Sequence, residues 1–170
     1  MARNKVFVSY SHKDKKWMNR LVNHLKVFEL EGLLVVWVDK QIKGGQDWHE
    51  LLHRAMLEAR VAVLLVSNNF LRSEFIRKEE VPRLFNAHCA DGMRIVPVIA
   101  LPCTWDIVKW LARIQVLPEN AEPLAQGNNI KVEKKLVKTA YDILDIYERW
   151  KPSPEQAQLC SEIFKSASSN

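Results

Sequence analysis

The chain has 170 residues, 48% hydrophobic and 26% charged, a balance that fits one globular domain and excludes a disordered or fibrous chain. Its net charge of +5 comes from basic residues interrupted by acidic ones, in small groups such as Lys13, Lys15, Lys16 and Lys131, Lys134, Lys135; this is the pattern of solvated helix faces and argues against a nucleic-acid footprint. Three widely spaced cysteines, Cys89, Cys103 and Cys160, make neither a disulfide framework nor a zinc cluster, and no apolar stretch approaches the ~20 residues of a spanning helix, so reduced thiols, a cytoplasmic location and no membrane insertion are expected.

Lys5 to Tyr10, KVFVSY, reads as a buried first strand. From Asp14, an expected N-cap, apolar residues recur at helical spacing (Trp17, Met18, Leu21, Leu25, Phe28), and Gly32 marks the end. Leu33 to Val38, LLVVWV, is a second strand, followed by the loop DKQIKGGQD and a helix from Asp47 or Trp48. Val61 to Val66, VAVLLV, is the third strand, and its unbroken apolar run belongs to a parallel sheet covered on both faces. A helix over Phe75 to Cys89 leads to a fourth strand, Arg94 to Ala100, where Pro97 calls for an edge or irregular position. Arg113 to Leu117 reads as a short fifth strand, and a long amphipathic helix through Val132, Leu136, Ile143 and Tyr147 closes the domain. Residues 1–150 are therefore expected to form the domain, and 151–170, opening with KPSPEQ, a linker or tail.

Strands alternating with helices imply right-handed crossovers and a flavodoxin-like, three-layer α/β domain with a five-stranded parallel sheet in the order 2-1-3-4-5. The switch point of that order lies between strands one and three. Ligands of open α/β sheets bind outside the carboxyl ends of strands at such a point, here where Ser9, Tyr10 and Ser11 face Ser67, Asn68 and Asn69.

Several chemistries are absent from this cleft. There is neither a GxxxxGK[ST] loop nor a GxGxxG turn, and Gly44-Gly45 has the spacing of neither. His49 and His53 share helical spacing but lack a third ligand, so no metal is expected. The strand ends SYSH and SNN lack the acidic cluster of a phosphate-accepting receiver domain. What remains is Glu79-Glu80 in SEFIRKEEVPRLF. On a helical wheel, Ile76, Val81, Leu84, Phe85 and Ala87 form an apolar arc; Glu80 falls inside it and Glu79 opposite. A carboxylate turned to the buried side is costly unless paired, and two readings fit it equally: an acid favoured by the helix start, or a functional group.

Three stretches, in order and spacing, resemble the TIR (Toll/interleukin-1 receptor) domains, particularly the bacterial branch, over approximately Lys5 to Trp150: KVFVSYSHKD as the first box, VWVDKQIKGGQDW as the second strand and BB loop, and VAVLLVSNNFLRSEFIRKEEVPRLF as the third strand and helix. The resemblance implies that the domain consumes NAD through a glutamate on the helix after strand three. In members with S-x-F-I-x-x-x-E-[LV]-P this glutamate falls on Glu80; the spacing S-x-W-x-x-x-E would select Glu79, which is kept in reserve. Phe75 stands where many relatives have tryptophan.

By the same resemblance, Ser9, Tyr10 and Ser11 line the cleft, Asp39 and the loop Ile42 to Gly45, with Gly44, gate it, and Ser73 and Phe75 border the ribose and nicotinamide. Trp37 and Trp48 position the loop or serve assembly, and Tyr10 and Trp37 equally fit a packing role. The implied function is an NAD glycohydrolase, forming linear or cyclic ADP-ribose in anti-phage defence or cell-death signalling, with NAD as substrate and no further cofactor. Implied partners are other TIR domains through self-assembly, and a fused or separate sensor domain. The alternative is a non-catalytic TIR–TIR interaction module.

Overall fold

The computed structural model describes residues 3–38 and 48–151, together with the backbone but not the side chain of Trp48. Four strands, β1 (Lys5–Tyr10), β2 (Val35–Val38), β3 (Ala59–Val66) and β4 (Arg94–Ile99), form one parallel sheet in the order β2-β1-β3-β4. Between them run α1 (Lys15–Leu30), α2 (Trp48–Glu58), the short α3 (Asn68–Arg72), a π-helical turn (Ile76–Glu80) and α4 (Val81–Asp91), and α5 (Asn129–Glu148) follows β4. This is the expected three-layer α/β arrangement.

Alternation along each strand divides the core in two. Val6, Val8, Tyr10, Val63, Leu65, Val96 and Val98 pack with Leu21 and Leu25 of α1 and Leu136 and Ile143 of α5. Phe7, Ala62, Leu64, Ile95 and Ile99 face the other way, onto Leu52 and Met56 of α2 and Leu84 and Phe85 of α4. A strand buried on both faces needs no polar alternation, which is why β1 and β3 read as continuous apolar runs.

The fifth position of the order 2-1-3-4-5 is taken by a single parallel bridge between Val98 and Leu117, because Arg113 closes a 3-10 turn and Pro118 has no N–H to extend a ladder. Two backbone bonds make the bridge, Ile99 N to Leu117 O and Leu117 N to Pro97 O, both 2.8 Å. A parallel-strand residue turns its N–H and C=O to the same side, so the donor Pro97 lacks lies on this edge, away from β3; the proline is the edge feature expected. Strand two begins at Val35 and not Leu33, since Gly32 (φ +73°) closes α1 and Leu33 N donates back to Phe28 O at 2.9 Å.

The pole carrying the amino ends of the strands is fastened by side chains. Tyr147 Oη donates to Asn4 O (2.9 Å), Trp150 Nε1 to Gly92 O (2.8 Å) and Arg60 Nε to Arg3 O (3.1 Å). The Arg60 guanidinium also lies over the rings of Tyr147 and Trp150, 4.4 and 5.3 Å from their centroids. Cys103 is a free thiol, but half-buried Cys89, reachable on α4, is disulfide-bonded, which corrects the expectation of reduced thiols throughout. Among the described residues no helix is long and apolar enough to cross a membrane, and no group of three His, Cys, Asp or Glu side chains is placed to hold a metal.

Candidate functional site

The helix expected over Phe75 to Cys89 is divided in the structure. α3 ends at Ser73, whose carbonyl accepts from Arg77 N (3.0 Å) and whose hydroxyl accepts from Ile76 N (3.4 Å), so Ser73 starts the next helical turn. That turn is a π-helix, in which Val81 N reaches back five residues to Ile76 O. Pro82 supplies the reason: it lacks the N–H that would bond Lys78 O, and its ring crowds that carbonyl, so the chain widens before α4 begins. The wide turn puts Arg77, Lys78 and Glu79 outside and returns the chain inward at Glu80 and Val81.

Two adjacent glutamates thereby receive opposite environments. Glu80 is 4% exposed and sits between Ile76 and Val81, which belong to the core layer under α2 and α4. Glu79 keeps 49% of its side-chain surface and pairs with Arg83 at 3.1 Å. Ser9, on β1, is 1% exposed, and its position two residues beyond Phe7 turns it to the same side of the sheet as Glu80. Among the described residues the Ser9 hydroxyl has no hydrogen-bond partner, an uncommon state for a buried polar atom.

A second feature joins the two lips of the switch point. Asp14 is 3% exposed and stands at the expected N-cap position of α1, but its side chain makes no cap bond. Its carboxylate instead accepts hydrogen bonds from the Ser67 hydroxyl and from Asn69 Nδ2 (2.8 Å), and Ser67 Oγ in turn accepts from Phe70 N at 3.0 Å. The turn after β1 is thus tied to the turn after β3. Above the tie lies a polar cavity of about 240 Å³ lined by Ser11, Lys13, Asn69, Arg72 and Ser73. Sequence reasoning missed the roles of Asp14, Lys13 and Arg72; the available signal was the facing polar runs SYSHKD and SNN, since a carboxylate there needs donors and the topology supplies only those.

The other expected site residues distribute as follows. Ser11 and Ser73 meet at the cavity, and Phe75 is half-buried against the α2 and α4 layer. Trp37 stacks on Phe7, centroids 5.1 Å apart and planes within 9°, on the Glu80 side of the sheet. Tyr10 is not brought to that side: its ring is buried in the layer of α1 and α5 and meets His12. Asp39, Ile42, Gly44 and Gly45 lie outside the described residues, as does the Trp48 side chain. Burial pushes the Cys103 thiol up, against a hydrogen bond from the Trp105 backbone, and Asp106 and Asp14 push it further.

The donors around the cavity can bind a polar ligand across the ends of β1 and β3. The sequence profile of the TIR domain family matches residues 6–125, more than half of the chain. A curated relative, the uncharacterized protein y4lF of Sinorhizobium fredii (strain NBRC 101917 / NGR234), is 26% identical over 125 residues, which are 74% of this chain but only 38% of that protein. Among solved structures, the TIR domains of the activated Roq1 resistosome directly recognizing the pathogen effector XopQ align over 96% of this chain and 99% of that one, at 20% identity and a TM-score of 0.49. On the family match, the chain belongs to the TIR domain family.

Proposed function

We propose that this TIR domain is an NAD glycohydrolase whose essential acid is Glu80. The observation that carries the reading is a carboxylate 4% exposed on a π-turn, on the same side of the sheet as the unpartnered hydroxyl of Ser9. π-Turns occur frequently at functional sites, where they turn one side chain out of helical register. Here the widened turn also absorbs the extra residue that separates the spacing of seven from Ser73 to Glu80 from the spacing of six to Glu79, which supports Glu80 over Glu79.

One carboxylate is sufficient for this chemistry. Glycoside cleavage commonly needs a second acid to protonate the leaving group. In NAD the nicotinamide ring nitrogen is already cationic, so the C1′–N bond breaks with its electron pair going to nicotinamide, which leaves neutral. Positive charge then develops at C1′, and a carboxylate held in a buried site stabilises it more than water does. Water adds to C1′ and releases a proton, giving ADP-ribose. The test is nicotinamide release from concentrated protein: Glu80→Gln abolishes it and Glu79→Gln keeps it, with both variants folded. Equal rates for Glu80→Gln and wild type overturn the assignment.

Assembly with other TIR domains is the second reading, compatible with the first. It is favoured by large apolar side chains on the outer faces of α1 and α5, among them Leu30 (85% exposed), Ile130 and Tyr141. Leu30→Glu with Ile130→Glu should lower the self-association seen by light scattering, and unchanged association removes these helices from the interface.

A further inference from the structure

The cavity over the switch point carries an unused charge pattern. Its five described lining side chains, Ser11, Lys13, Asn69, Arg72 and Ser73, all hold hydrogen-bond donors, and among the described residues no carboxylate lines it. The acid below it, Asp14, is engaged by Ser67 and Asn69, and among the described residues neither Lys13 nor Arg72 has an ion-pair partner. Other cations of the chain are paired on the surface, such as Arg20 with Glu133, Arg83 with Glu79 and Lys135 with Glu122. Lys13 comes from the turn after β1 and Arg72 from the end of α3, so only the fold brings two like charges to one cavity.

Two unpaired cations amid hydroxyl and amide donors suit an anion with several oxygens. The planar guanidinium presents parallel donors to phosphate oxygens, and an ammonium adds a point charge. Ser73 links the cavity to the turn that carries Glu80, lining the one and beginning the other. We propose that Lys13 and Arg72, with Ser11, Asn69 and Ser73, form the subsite for the diphosphate bridge of a dinucleotide whose cationic glycosidic end lies toward Glu80. The proposal rests on the NAD reading above for the identity of the dinucleotide. The protein thus matches a dipolar substrate end for end, with cations on the bridge and an anion at the reacting ribose.

The test is calorimetric binding of ADP-ribose to the full chain, which needs no turnover, with Lys13→Gln, Arg72→Gln and Arg72→Lys variants checked for an unchanged thermal midpoint. Each Gln substitution should weaken ADP-ribose about tenfold, the effect of losing one charge-assisted hydrogen bond, and flatten its salt dependence. Arg72→Lys should recover part of the loss. Undiminished affinity in both Gln variants, or no binding by the wild type at millimolar ADP-ribose, overturns the subsite. Inorganic pyrophosphate that binds where ADP-ribose does not makes the cavity a site for a free anion and also overturns the dinucleotide assignment. If Glu80→Gln still turns over NAD while Arg72→Gln loses ADP-ribose, the catalytic reading fails and the subsite stands.

Discussion

Asp14 shows how much one side chain can do between two elements. Its carboxylate is buried and held by two neutral donors on the far side of the switch point, so removing it leaves Ser67 and Asn69 without their acceptor. Asp14→Ala should cost about 3 kcal/mol in urea unfolding, the upper range for hydrogen bonds to a charged group, and should weaken ADP-ribose as the two lips separate. His88 gives the protein a pH limit. Burial lowers its pKa below the ordinary 6.5, against the hydrogen bond to the Met93 carbonyl, and Arg94 lowers it further. The folded state therefore favours the neutral ring and the unfolded state takes the proton first. His88's contribution is complete above about pH 6.5 and declines as pH falls from there toward the lowered folded value. Thermal midpoints of His88→Gln should be flatter than wild type across that window; identical slopes would remove His88 from the acid response. Neither role is written in local sequence: Asp14 stands at a helix start but finds its partners only after β3, and His88 is one of several histidines until burial singles it out.

At the level of elements, strands were legible because burial on both faces leaves continuous apolar runs, and β1 and β3 lie where KVFVSY and VAVLLV read. The helix after β3 was not, since a wheel of 3.6 residues assumes a regular ladder and Pro82 removes it. The wheel still separated Glu79 from Glu80, because Ile76, Val81 and Leu84 hold the inner face whichever turn connects them. Pro82 is thus a positioning residue. Pro82→Ala restores an N–H able to bond Lys78 O, allowing the turn to tighten by one residue and swing Glu80 off the inner face. Nicotinamide release should fall roughly tenfold with the thermal midpoint held within about 5 °C, and the new amide should be protected in hydrogen exchange. An unprotected amide and full activity would show the π-turn held by packing alone. The fifth strand read over Arg113 to Leu117 is reduced for a similar reason, since Pro118 limits its pairing to one parallel bridge at Leu117.

For the molecule as a whole, the parallel sheet sends every strand's carboxyl end, and with it Ser11, Ser67 and the cavity, to one pole. The opposite pole holds Asn4, Gly92, Tyr147 and Trp150 in a web closed by Arg60. Tyr147→Phe removes one hydrogen bond from that web and should cost about 1 kcal/mol, leaving nicotinamide release unchanged because the cleft is a sheet's length away. A fall in activity with stability intact would mean that the poles communicate. The web also acts as a mooring. Arg3 and Trp150 lie together on this underside, so a fluorescent label carried by either residue reports from below the domain, a sheet's length from the opening above it.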